Sequence, residues 1–160
     1  MKSELEVENA ITLYADMVKR ICFMNLKKEA DVDDIFQNVF FKFATNEKEF
    51  ESAENEKAWL IRVTINECKS FYRTFFHRRV ELVEDLSIYG ATDKVNDDVL
   101  LQAVLKLTER YRNVIYLHYY EGYKISEIAC ILSKNENTIN TWLKRAKEQL
   151  KVSLGGDYLE

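Results

Sequence analysis

Apolar residues recur along this chain with the 3.6-residue period of helices that pack by one face. Between Leu5 and Leu26 they fall at Val7, Ala10, Ile11, Tyr14, Met17, Val18, Ile21 and Cys22, and the spacing predicts one helix with a single buried stripe. Asp31 is placed to cap a second helix, with Asp33 and Asp34 in its first turn, where the helix dipole favours anions. Its expected core face is Ile35, Phe36, Val39, Phe40 and Phe43. A polar loop, Asn46–Lys57, leads to a long helix from about Ala58 with a core stripe of Leu60, Val63, Phe71 and Phe75. Further helices are expected at Val99–Leu107, Thr108–Tyr120, Ser126–Leu132 and Glu136–Leu154, with a turn at Gly122 and a stop at Gly155-Gly156. Proline is absent and glycine occurs only at 90, 122, 155 and 156, so breakers are few. The fold class expected is all-α, without internal repeats or low-complexity tracts.

Charge divides the chain. Over all 160 residues there are 23 Lys and Arg against 27 Asp and Glu, a net charge of −4. That balance excludes a uniformly basic nucleic-acid coat but allows a basic face. Residues 1–57 carry 8 basic and 13 acidic side chains, 58–79 carry 5 and 1, 80–98 carry 1 and 6, and 99–160 carry 9 and 7. A basic segment thus lies between two acidic ones, a pattern that suits either polyanion contact or solvated helix faces. The acidic residues 80–97, which include Gly90 and follow no apolar stripe, read as a linker between domains 1–79 and 98–160.

Other chemistries find little material. No run approaches the ~18 apolar residues of a membrane span, and Met1–Glu6 lacks the apolar core of a secretory signal. Cys22, Cys68 and Cys130 are far apart and form no CxxC, so the reading is buried thiols in a reducing cytosol, neither a disulfide framework nor a zinc site. His77 and His118 have no ligand-spaced neighbours. No metal, cofactor or small-molecule substrate is expected.

Two constellations point to nucleic acid. On the long helix, at about 100° per residue, Arg62, Asn66, Lys69 and Arg73 share one strip, bordered by Trp59 and Phe76. Phosphates need cations, and unpaired bases need rings to stack on and amides to pair with. A helix serving structure alone more often mixes Glu among its cations, and here only Glu67 does so, off the strip. The second constellation is Ser126–Leu132, then Ser133-Lys134-Asn135, then Glu136–Arg145, the pattern of a helix-turn-helix. Ala129 is small where the helices cross, Asn135 can cap the second helix, and Ile139, Leu143, Ala146 and Leu150 face the core. Asn137, Asn140, Thr141 and Lys144 then face outward, flanked by Glu136 and Arg145, and can reach base edges in a major groove. Lys147 and Lys151 suit phosphates or solvent. Two positions depart from the usual turn: Ser133 where Gly is common, and Lys134 where an apolar residue is common.

Taken in order, Asp33–Phe40, Ala58–Asn66, Leu107–Val114 and the helix-turn-helix ending Leu143-Lys144-Arg145-Ala146-Lys147 resemble the extracytoplasmic-function sigma factors of bacteria, over nearly the whole chain. The resemblance implies two helical domains joined by a flexible linker: region 2 over 1–79 and a helix-turn-helix region 4 over 98–160. It implies binding to core RNA polymerase, recognition of −10 and −35 promoter elements, help in opening the duplex, cytoplasmic residence and control by an anti-sigma factor. Asp33, Asp34, Gln37, Asn38 and Phe40 match the family's polymerase-binding helix, although Phe40 fits the core equally well. Arg62, Asn66, Lys69, Tyr72 and Arg73 match its −10 reader, and Phe50–Lys57 its segment that pockets a flipped base. Glu136, Asn137, Asn140, Thr141, Lys144 and Arg145 match its −35 reader. Trp142 stands where many members carry Arg. Three rival classes are a helix-turn-helix repressor, a Mg²⁺ nuclease built on Asp31, Asp33 and Asp34, and a protein-only adaptor. The first leaves the strip at 62–73 without a role, and capping explains the three carboxylates more simply than catalysis does.

Overall fold

The computed structural model describes the backbone of residues 1–78 and 98–155 and the side chains of 1–73 and 99–155. The linker expected at 80–97, and the rings of Phe75 and Phe76, lie outside those residues. The chain divides into two compact units, Met1–Tyr89 and Gly90–Glu160. Every regular element among the described residues is helical.

The first unit packs α1 (Glu4–Asn25), α2 (Glu29–Thr45) and α3 (Ala53–Arg78) against one another. Ser3 begins α1 with a capping box: its Oγ accepts from the Glu6 N–H at 3.1 Å, and Glu6 Oε1 accepts from the Ser3 N–H at 2.8 Å. Two N–H groups that no helix turn can reach are thereby satisfied. The core joins Val18, Ile21 and Cys22 of α1, Val32, Ile35, Val39 and Phe43 of α2, and Leu60, Ile61, Ile65 and Cys68 of α3. Two polar groups are buried at no loss of hydrogen bonding. Thr64 Oγ1 donates to the Leu60 carbonyl at 2.7 Å, and Asn25 Nδ2 donates to the Ile21 carbonyl at 2.9 Å. Lys42 and Glu67 tie α2 to α3 across 2.6 Å.

Two helix starts and one buried stripe differ from the periodicity reading. Helix α2 begins at Glu29 after an extended Lys28, so Asp31 lies inside the first turn and is not the cap. Helix α3 begins at Ala53, because Ser52 Oγ accepts from the Asn55 N–H at 3.1 Å and the Ser52 carbonyl accepts from the Glu56 N–H at 3.1 Å. The loop is therefore only 46–52. The buried stripe of α3 is Leu60, Ile61, Thr64, Ile65 and Cys68, while Val63 and Phe71 are half-buried. The β-branched Thr64, its hydroxyl turned back to the helix, takes a core place that hydropathy assigns to Val63.

The second unit contains α4 (Asp98–Leu105), α5 (Glu109–Ile115, running on as a π-helical turn, Tyr116–Tyr120), α6 (Ile125–Leu132) and α7 (Glu136–Leu154). Helix α4 stops short of Leu107, and Arg112 Nη1 donates to the Leu107 carbonyl at 2.6 Å just beyond it. In the π turn the Glu121 N–H reaches the Tyr116 carbonyl at 3.1 Å, and Gly122, at φ 81°, reverses the chain. The core is Leu107, Val114, Leu117, Ile128, Ile139, Leu143, Ala146 and Leu150. Cys22 and Cys68 are buried as expected, but Cys130 points outward from α6. No helix among the described residues is long and apolar enough to cross a membrane.

Candidate nucleic-acid and polymerase interfaces

Helix α2 separates two neighbouring rings. Phe40 is 6% exposed and packs against Phe36 and Phe43, with centroids at 4.9 and 6.5 Å. It belongs to the core, which is one of the two places its match to the polymerase-binding helix left open. Phe41, one residue on, is 67% exposed. At about 100° per residue it shares a face with Asp34, Gln37 and Asn38, all three exposed, as is Asp33. That face combines acid, amides and an unburied ring. Sequence reading missed Phe41 because Val39-Phe40-Phe41 is an unbroken apolar run. Only its i+7 spacing from Asp34 hinted at the outer face.

On α3, Asn66, Lys69 and Arg73 are exposed and Arg62 and Tyr72 are half-buried. Tyr72 sets its ring edge-on to Phe71 at 5.7 Å. Trp59, at the start of this strip, is held in an aromatic cluster: Phe50 lies edge-on to it at 5.6 Å, Phe43 is tilted at 6.1 Å, and Phe43 and Phe50 stack at 6.2 Å. The Lys2 ammonium sits 5.2 and 5.3 Å from the Phe43 and Phe50 centroids and donates to the Asn46 carbonyl at 2.9 Å. The cluster anchors the 46–52 loop beside an open groove of about 490 Å³ that Phe50, Ser52, Glu49 and Glu56 help to line. Lys57 and its neighbours back to Ala53 belong to α3, so this groove lies between α1, which contributes Glu6, Asn9, Ala10 and Leu13, and the short loop with the start of α3, and is not formed by a loop over 50–57.

The helix-turn-helix is built as its spacing implies. Asn135 Oδ1 accepts from the Thr138 N–H at 2.8 Å, and Ala129 is buried where α6 meets α7. Ser133 occupies the left-handed region, φ 58° and ψ 47°, where glycine is otherwise favoured. Ile139, Leu143, Ala146 and Leu150 are buried, so Glu136, Asn137, Asn140, Thr141, Lys144 and Arg145 all stand in solvent. A shallow groove of about 460 Å³ follows Asn140, Lys144, Lys147 and Lys151 along α7. Trp142 is half-buried, with the Arg110 guanidinium 5.3 Å and the Lys134 ammonium 6.0 Å from its ring.

Asp31 is partly covered in the first turn of α2, and burial pushes its carboxyl above the usual aspartate range, with Lys28 opposing and Asp34 adding to the rise. Among the described residues no three His, Cys, Asp or Glu side chains converge as metal ligands.

Comparison with known proteins bears on both units. Residues 10–79 match Sigma-70 region 2, and residues 97–150 match Sigma-70, region 4. RNA polymerase sigma factor SigV of Bacillus subtilis (strain 168) is 28% identical over 139 residues, covering 84% of this chain and 82% of its own. The ECF RNA polymerase sigma factor SigW of the same strain is 26% identical over 161 residues, covering 90% and 86%. The sigma factor RpoE from Bartonella quintana, solved in complex with the anti-sigma factor NepR, shares the fold with a TM-score of 0.77 at 20% identity, over 95% of this chain and 98% of that one. With both regions present, in order and on helices of the kind their residues require, the chain belongs to the sigma-70 family, as an alternative sigma factor of the extracytoplasmic-function group acting in transcription initiation.

Proposed function

We propose that the two units divide the work of promoter recognition, residues 1–79 holding core polymerase and the −10 element and residues 98–160 holding the −35 element. The observation that carries this reading is the exposed row of Asn66, Lys69 and Arg73 on the one strongly basic segment of an otherwise acidic first unit. Cations there attract the strand backbone, and Asn66 and Tyr72 offer an amide and a ring to bases released from pairing. The groove beside Phe50 takes an extruded base, whose amino group can donate to the Glu49 or Glu56 carboxylate. Asp33, Asp34, Gln37, Asn38 and Phe41 dock on polymerase, the ring supplying apolar contact and the polar residues orientation. On α7, Asn137, Asn140, Thr141 and Lys144 read base edges in the duplex while Glu136 and Arg145 flank them.

The work is binding and duplex opening, with no covalent step, in the cytoplasm where polymerase resides. A relative of this fold is held by an anti-sigma factor. An inhibitor of that kind, covering the polymerase- and DNA-facing surfaces, is the expected regulator. The test is run-off transcription with purified core polymerase on promoters from the protein's own genome. Specific transcripts are expected only when both are present. Tight promoter binding without polymerase, and no transcript with it, would replace this reading with that of a helix-turn-helix repressor.

A further inference from the structure

Trp142 gathers two cations from separate elements. Arg110 comes from the first turn of α5 and Lys134 from the turn between α6 and α7, and both are exposed. Their charged groups lie 5.3 and 6.0 Å from the indole, and Arg110 also lies 5.9 Å from the Tyr111 ring. Among the described residues neither cation forms an ion pair with a carboxylate. An electron-rich ring face attracts each of them, yet two like charges brought to one ring repel. An anion reaching both relieves that repulsion.

The place of the cluster selects the anion. At about 100° per residue, Trp142 and Lys147 lie on opposite flanks of α7, each about 70° from the line through Ile139, Leu143, Ala146 and Leu150. A helix with its side chains is about as wide as the major groove, so its two flanks meet the two phosphate ridges. Residues 133–147 hold four cations, Lys134, Lys144, Arg145 and Lys147, against one acid, Glu136. We propose that Arg110, Lys134 and Trp142 form a phosphate-gripping cluster that seats one backbone of the −35 duplex, Trp142 acting as a positioning residue for the two cations. The inference rests on the reading of α7 as the groove-binding helix. It gives Trp142 a task unrelated to base recognition: the ring holds charge on the flank, and the cluster adds affinity without sequence preference.

The test uses holoenzyme assembled from the full chain and core polymerase, with a labelled −35 duplex from a promoter it transcribes and a scrambled duplex of equal length. Binding is followed from roughly 50 to 300 mM salt. Removing one cation that neutralises a phosphate flattens the log–log salt slope by about 0.9. The double variant Arg110→Gln with Lys134→Gln is expected to flatten it by roughly 1 to 2 and to weaken both duplexes by the same factor. Trp142→Ala, which removes no charge, is expected to flatten it as well. Asn140→Ala is the control for the underlying reading, expected to reduce discrimination between the duplexes at constant slope. An unchanged slope in the double variant, with its thermal unfolding unaltered, overturns the cluster. If Asn140→Ala still reduces discrimination in that case, the −35 reading survives without the cluster. If discrimination persists in Asn140→Ala while the double variant flattens the slope, the cluster stands and Asn140 is removed from base recognition.

Discussion

Adjacent rings on α2 offer a clean separation of folding from docking. Truncating Phe40 to alanine removes a ring that is 6% exposed and touches Phe36 and Phe43. Such a deletion costs about 3–5 kcal/mol, the lost transfer energy plus the cavity that remains. In a unit of this size each kcal/mol moves the midpoint by about 4–8 °C, so the first unit should melt at least ~12 °C lower. Truncating Phe41, 67% exposed, should change stability by no more than about 0.5 kcal/mol. Its effect belongs to binding: loss of a ring central to a docking face weakens association by about 1–2 kcal/mol or more, roughly 5- to 30-fold. Thermal unfolding by circular dichroism and titration of labelled core polymerase read the two quantities on the same preparations. If Phe40→Ala melts like the parent yet fails to bind polymerase, the burial argument is wrong and Phe40 faces outward. If Phe41→Ala binds as tightly as the parent, the polymerase surface lies elsewhere.

Three further outcomes follow from the same structure. Asn66→Ala should reduce promoter opening, read by permanganate reactivity of the −10 strand, several-fold more than it reduces polymerase binding; equal losses would deny it contact with separated bases. Ser133→Gly should stabilise the second unit by about 0.5–1 kcal/mol, because a left-handed backbone that strains serine is open to glycine, and an unchanged or lower melting temperature would count against strain at that turn. For Asp31 the sign runs through its raised pKa: the fold favours the neutral carboxyl, so that contribution is complete below the ordinary aspartate value and is lost as pH rises through the raised one. Asp31→Asn should therefore melt slightly higher than the parent at pH 7, the gap closing as pH falls toward about 4; a gap that widens in acid would contradict it.

How far the chain could be read without coordinates depended on how local each cause is. The 3.6-residue rhythm of α1, the Asn135 cap, the stripe Ile139–Leu150 and the turn at Gly122 are set within one or two helical turns, and all were legible. So was the outward row Asn66, Lys69 and Arg73, since charge on one side and aliphatic residues on the other leave a helix one orientation. Legibility failed where two apolar or aromatic neighbours compete for one place. Val39-Phe40-Phe41 does not say which ring turns inward; packing against Phe36 and Phe43 decides it. Val63 and Thr64 are ranked wrongly by hydropathy, because the Thr64 hydroxyl satisfies itself on the Leu60 carbonyl and leaves its methyl to the core. The start of α3 moved to Ala53 through a serine cap in a polar stretch with no apolar period to mark it. Cys130, expected buried and found exposed, and Trp142 share one cause: whether a side chain meets solvent or a neighbouring helix is fixed by elements remote in sequence, and Arg110 reaches Trp142 only after α5 and α7 have packed. Periodicity determined which faces exist, and tertiary packing alone chose which rings and thiols occupy them.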